Sequence, residues 1–165
     1  MADTLIAYYS WSGRSAVLAR KLYRNISGSE LYHIASKRKY SKHFVICAGQ
    51  AFLEKRRRER PDIQIHLSGK QMLKYDRMIL IYPIWWGTCP MSVRTFLEGI
   101  RTDRLDVFPI ALSMSSNAEK SVADICDAAP KAAVAEGLSL KGKRADSEKS
   151  FEEVMRYLGL WRSGK

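Results

Sequence analysis

The sequence predicts a three-layer α/β fold built on a parallel sheet. Three observations carry this. Strand-like and helix-like patterns alternate along the whole chain. The strands read as continuous apolar runs, as strands buried on both faces do. A turn of small residues follows the first strand and leads straight into an amphipathic helix. Right-handed crossovers between parallel strands then put helices on both sides of the sheet.

The first strand is the apolar, β-prone run Thr4 to Tyr9, followed by a turn at Ser10 to Gly13. Leu18, Ala19, Leu22 and Ile26 then recur at helical spacing, with Arg20, Lys21 and Arg24 opposite; Asn25 to Gly28 ends this helix. Glu30 to Ala35 reads as a second strand. Ser41 to Arg60 reads as a helix with Phe44, Val45, Ala48 and Phe52 on one face, stopped by Pro61. Asp62 to Leu67 alternates as a short edge strand or an extended connector would. Arg77 to Tyr82 is the clearest strand, followed by a loop from Pro83 to Pro90 and a helix from Ser92 to Gly99. Asp106 to Ser113 is a further strand. Asn117 to Glu136 is expected to be helical, bent or interrupted by Pro130. Leu138 to Lys143 is the last strand. The last helix starts near Ser147, with Phe151, Val154, Met155, Leu158 and Trp161 on one face.

A chain of 165 residues suits a single domain spanning 1–165, large enough to bury a core without staples. The first residues lack the pattern of a secretory signal, and the longest apolar run, Met78 to Trp86, contains a proline and is too short to cross a bilayer. A cytoplasmic location is therefore expected. The three cysteines, Cys47, Cys89 and Cys126, are widely spaced and suggest neither a disulfide framework nor a zinc site. His33, His43 and His66 have no ligand-spaced partner. The net charge of +11 is concentrated: Lys37 to Arg60 holds nine basic residues against two glutamates, while the ten basic and ten acidic residues from Thr102 onward cancel. One surface should therefore attract acidic proteins, nucleic acid or anionic substrates. The run Lys55-Arg56-Arg57-Arg58-Glu59-Arg60 reads either as a solvated helix end or as a docking patch for an acidic partner. Nucleic-acid binding lacks the support of a recognised module or an aromatic-interleaved platform.

In sheets of this class, ligands bind at the carboxyl ends of the strands. Two loops there carry chemistry. Ser10, Ser12 and Ser15 supply hydroxyls, and Gly13 permits a tight turn into a helix start. Free amides and the helix dipole make that a phosphate cradle, or equally an ordinary serine-rich cap. The second loop, Tyr82-Pro83-Ile84-Trp85-Trp86-Gly87-Thr88-Cys89-Pro90-Met91, offers two indoles on which a flat heterocycle would stack, or which would fill the core under a helix. Gly87 permits close backbone approach.

These two segments, with Val93-Arg94-Thr95-Phe96-Leu97-Glu98 after them, resemble the flavodoxin family, and in particular its flavodoxin-like branch with a Pro-Ile-Trp-Trp-Gly loop. The resemblance implies a five-stranded parallel sheet in the order 2-1-3-4-5 with flavin mononucleotide (FMN) on its carboxyl edge. It implies that Ser10, Ser12, Gly13, Arg14 and Ser15 wrap the phosphate. It places Pro83, Ile84, Trp85, Trp86, Gly87 and Thr88 along the isoalloxazine, and Ser113, Met114, Ser115, Ser116 and Asn117 on its other side. Two departures stand out. Family phosphate loops commonly end Gly-Asn-Thr where this chain has Gly13-Arg14-Ser15, and Ser113 to Asn117 lacks the glycines or aromatic residue often found there. Arg14 would either pair with the phosphate or face solvent.

No nucleotide-binding P-loop or dinucleotide turn is present. Cys89 and Arg94 are separated by one residue too few for a phosphatase loop. No nucleophile–base pairing stands out, as expected where a cofactor carries the redox chemistry. The implied function is that of an FMN-dependent oxidoreductase or electron-transfer protein, its partner an acidic redox protein or a small-molecule acceptor. Ordinary flavodoxins are acidic, whereas this chain is basic. The alternative is a flavodoxin-like binding module without flavin that engages an acidic partner through its basic face.

Overall fold

The computed structural model describes residues 3–142 and 147–160. Its strands are β1 (Asp3–Tyr8), β2 (Ser29–His33), β3 (Tyr75–Pro83), β4 (Asp106–Ser113), β5 (Ala133–Val134) and β6 (Leu138–Lys141). The helices are α1 (Arg14–Asn25), α2 (Phe44–Arg57), α3 (Gly69–Met72), α4 (Met91–Gly99), α5 (Glu119–Ala128) and α6 (Glu148–Tyr157). The sheet is parallel in the order β2-β1-β3-β4-β5, with β6 also pairing with β4. This is the predicted order, with the fifth position shared by two short segments.

The central strands are buried on both faces. Leu5 and Ala7 of β1 and Met78, Leu80 and Tyr82 of β3 point to one core, where α4 adds Val93, Phe96 and Leu97 and α5 adds Ile125. Ile6, Tyr8, Ile79 and Ile81 point to the other, closed by Leu18, Ala19 and Leu22 of α1, by Phe151 and Val154 of α6 and by its cap residue Leu158. Strand side chains alternate between faces, so a strand covered on both sides must be apolar throughout.

Several elements differ from expectation. The second strand is shorter, Ser29–His33, although the Ile34 amide still reaches the Tyr8 carbonyl at 2.8 Å. Asp62 to Leu67 takes the second of its two expected forms, an extended connector, joined to residues 35–37 through the antiparallel bridge Ser36–Ile63. Asn117 to Glu136 is not one helix. Proline disfavours helical geometry in the preceding residue, and Ala129, before Pro130, takes φ −129° and ψ 63° as the cap of α5. The chain then returns to the sheet as β5. The break between β5 and β6 falls opposite Pro109, which has no amide to donate to the ladder. At that break Gly137 packs so closely that a Cβ would lie 2.5 Å from Val122 Cγ2 and 2.9 Å from Ala118 Cβ. The last helix carries Phe151, Val154 and Leu158 inward as expected; Trp161 and Lys143 lie outside the described residues.

The predicted helix at Ser41 to Arg60 is shorter and turned over. It runs from Phe44 to Arg57, and its buried residues are Cys47, Ala51 and Glu54. Phe44, Val45 and Phe52 are exposed. Of the face read from the sequence as its apolar contact face, only Ala48 is half-buried; the large residues look outward, and Cys47, Ala51 and the paired carboxylate of Glu54 take the inward side.

Candidate flavin site

The loops after β1 and β3 meet at the carboxyl edge of the sheet. In the first, Gly13 adopts φ +91° as the N-cap of α1, a left-handed conformation suited to glycine. Its amide donates to Ser10 Oγ at 3.0 Å, closing the turn. No side chain caps α1, and its first turn contains no acidic residue. The first-turn amides of Arg14, Ser15 and Ala16 therefore face the loop with the positive end of the helix dipole behind them. Ser12 is exposed, Ser10 half-buried and Ser15 buried. Arg14 is half-buried rather than simply facing solvent, and its guanidinium donates to the Gly142 carbonyl after β6.

In the second loop, Trp85 to Thr88 forms a tight reverse turn with reciprocal backbone bonds of 2.9 and 3.1 Å between Trp85 and Thr88. Its two central residues, Trp86 at φ +53° and Gly87 at φ +76°, are both left-handed, the signature of a type I′ turn. The Trp86 indole donates to the Ala48 carbonyl at 2.8 Å and meets Phe52 edge-on. Trp85 lies edge-on to both Tyr9 and Tyr40. The Trp11 indole donates to the Ser41 carbonyl at 3.1 Å. Trp11, Ile84, Trp85 and Trp86 thus face Phe44, Cys47, Ala48 and Ala51 of α2 across an apolar cavity of about 280 Å³. That is near the lower end of the range for small-molecule clefts, about 300–1,000 Å³.

The other expected site residues are placed differently. Pro83 closes β3, and the Ile84 amide binds the Leu112 carbonyl at 2.9 Å, so the third loop lies beside the second. Ser113 Oγ donates to the Ser116 carbonyl, and Met114, Ser115, Ser116 and Asn117 are exposed outside the cavity lining. Thr88 is buried and donates to Asp124 of α5, whose other oxygen accepts from Arg94 at 3.2 Å. Cys89 is fully buried, and burial pushes its thiol up to about 12, so it is no nucleophile. Among the described residues no cluster of His, Cys, Asp or Glu is arranged to hold a metal.

Sequence reasoning missed two features here. Trp11 belongs to the cavity wall. Behind Tyr40, which meets Trp85 edge-on, the carboxylate of Glu54, only 1% exposed, accepts from the Tyr40 hydroxyl at 2.7 and 2.8 Å and from Arg38 at 2.8 Å. Burial raises the Glu54 carboxyl above its ordinary range, against the opposing pull of Tyr40 and Arg38. Burial also raises the Tyr9 and Tyr40 phenols, reinforced by the nearby Glu54 charge, which keeps both hydroxyls protonated. The signal for Glu54 was its place on the stripe Cys47, Ala51, Glu54, the small-residue side of α2.

A model of the flavodoxin family matches residues 3–154. Among solved structures, a candidate flavoprotein from Bacteroides eggerthii superposes with a TM-score of 0.79 at 26% identity, covering 98% of this chain and 100% of that one. A flavoprotein from Lactobacillus acidophilus, crystallised in complex with FMN, gives 0.70 at 23% identity, with 91% and 99% covered. Flavodoxin 2 from Bacillus cereus gives 0.58 at 18% identity, with 97% and 100% covered. No functionally curated protein matches the chain. With the family match spanning nearly the whole fold and the strand order in agreement, this chain belongs to the flavodoxin family.

Proposed function

We propose that this chain binds FMN and acts through it as an electron carrier or a small oxidoreductase. One observation carries the reading: an uncapped helix start free of acidic residues and a cavity walled by three indoles share one edge of the sheet. The two halves fit the two ends of FMN. The amides of α1 and the hydroxyls of Ser10, Ser12 and Ser15 suit a phosphate, and Gly13 supplies the left-handed turn that aims them. Arg14 adds positive charge beside that cradle while tying it to the Gly142 turn. Trp11, Trp85 and Trp86 offer apolar faces that exclude water from a stacked ring, with Gly87 leaving the backbone open beside it.

Bound FMN supplies one- and two-electron transfer, so the protein needs no acid–base side chain of its own. The chain's part is to bind, orient and shield. Tyr9 and Tyr40, held neutral, pack edge-on against Trp85, and Tyr40 ties that packing to the Glu54–Arg38 pair. Thr88 supports the loop from within through Asp124; Pro83 and the turn from Ser113 to Asn117 would approach the ring only from outside the cavity, and an acidic redox protein or a small-molecule acceptor takes the electrons.

The test is direct. The purified protein should be yellow, or its colourless form should take up added FMN with quenching of flavin fluorescence. A colourless protein that takes up no FMN overturns the proposal. One observation favours the flavin-free binding module instead: the turn at Ser113 closes on itself and presents no aromatic face. The same titration separates the two readings.

A further inference from the structure

Of the large hydrophobic residues exposed among the described residues, five lie on α2: Phe44 72%, Val45 79%, Ile46 55%, Phe52 42% and Leu53 45%. Trp86, 53% exposed, extends the patch through its contact with Phe52. Single exposed hydrophobics are ordinary; a continuous patch on one helix marks an interaction surface. Burial of α2 does not explain it, since the inward face is made of Cys47, Ala51 and Glu54. Phe44 meets Trp11 at a tilt and Phe52 meets Trp86 edge-on, yet all five side chains remain open to solvent.

We propose that this face of α2, together with Trp86, docks an acidic protein. The patch is bounded by exposed Lys39 and Lys42 before the helix and by Lys55, Arg56, Arg57 and Arg58 at its end. The carboxylates nearby are already engaged: Glu54 is buried against Arg38 and Tyr40, and Glu59 pairs with Arg38 and Arg57. An apolar centre ringed by cations is complementary to an apolar patch ringed by carboxylates. A second copy is the wrong occupant, because each copy carries +11 and any α2–α2 packing sets one basic helix end against another. A flat bilayer fits less well than a protein. The patch borders the cavity between Phe44 and Trp86, so the surface is contoured where a bilayer is flat, and a partner meets the rim of that cavity without having to fill it. The surface does not depend on the flavin reading; if FMN is bound, the partner docks beside the tryptophans that hold it.

The probe is a fluorescently labelled acidic plant-type [2Fe–2S] ferredoxin, titrated with the chain at low and high salt and followed by anisotropy. Saturable binding is expected, weakening with salt. Val45→Ser with Leu53→Ser should weaken it at least tenfold, and so should Arg56→Glu alone, while Lys120→Glu on α5 should leave it unchanged. The altered side chains are exposed, and each variant's melting curve verifies its fold; the apolar and charge variants report independently. No binding, or equal binding by all variants, overturns the proposal. So does patch-dependent self-association in sedimentation, or patch-dependent binding to phosphatidylglycerol vesicles in place of the ferredoxin. FMN uptake is measured on the same samples. Ferredoxin binding without FMN uptake leaves the docking surface standing and removes the flavin function; FMN uptake without ferredoxin binding does the reverse.

Discussion

Trp86 holds φ +53°, a region in which a bulky side chain is strained, and the type I′ turn requires it. The indole's bond to Ala48 and its contact with Phe52 keep it there. Asparagine tolerates the same backbone without the ring. Trp86→Asn should therefore leave urea stability within about 1 kcal/mol of the wild type, because relieved strain offsets the lost contact. FMN affinity should fall at least tenfold. Trp85 is different: packed between Tyr9 and Tyr40, its replacement by alanine should cost about 3 kcal/mol or more. If Trp86→Asn binds FMN normally, the exposed indole is not part of the ring site. The sequence showed the loop but not this division of labour, because both tryptophans look alike without their backbone angles. For Glu54 the stripe Cys47, Ala51, Glu54 signalled burial but not its role, since its partners Arg38 and Tyr40 come from a segment whose path no local pattern reveals. Its carboxyl is raised above the ordinary 4.5, so the folded state favours the protonated form. Its contribution to stability is thus fully present below that value and lost as pH rises through the raised one. Urea unfolding of wild type and Glu54→Gln should show the difference, wild type minus variant, falling as pH climbs above 4.5 and then levelling. A difference that grows with pH would mean that Arg38 and Tyr40 outweigh burial.

The helices teach a related lesson at the scale of elements. Strands were legible because burial on both faces leaves continuous apolar runs, and Asp106–Ser113 was read with its observed bounds. Helix ends were less so. In α5 Pro130 was read as bending or interrupting the helix, and interruption is what occurs, because proline restricts the residue before it. In α2 the face of Phe44, Val45, Ala48 and Phe52 was read as inward, but the stripe Cys47, Ala51 and Glu54 is the buried one and the large residues stay exposed. Its C-terminus is closed by a Schellman-type arrangement: Arg58 takes φ 53°, and the Glu59 amide reaches the Glu54 carbonyl at 3.0 Å. Nothing in the local sequence announces this stop, since the usual residue there is glycine. Three basic residues in the last turn complement the dipole, but the left-handed cap is strained. Arg58→Gly should therefore stabilise the chain by about 0.5–1 kcal/mol in urea unfolding, as relief of the cap outweighs glycine's greater freedom in the unfolded state. Destabilisation would show that the Arg58 side chain contributes more than its backbone costs.

For the whole molecule, the strand order and the family came from two short loops, while the site's substance depends on how distant segments converge. Binding to the folded state alone turns that convergence into stability. At free FMN one hundred times its dissociation constant, linkage adds about 2.7 kcal/mol. For domains of this size each kcal/mol moves the melting temperature by about 2–4 °C, so FMN should raise it by about 5–11 °C. The charge of +11 and the open amides of α1 assign much of the affinity to the phosphate. Riboflavin, which has the ring without the phosphate, should therefore give a clearly smaller shift at the same concentration. The FMN shift should also shrink as salt screens the phosphate. Thermal melts with FMN, riboflavin and no ligand, each at two salt concentrations, decide between the site's two halves. Equal shifts from FMN and riboflavin would remove the phosphate from Ser10–Ser15 and leave only the indole cavity, and no shift from either would leave the sheet edge without a flavin.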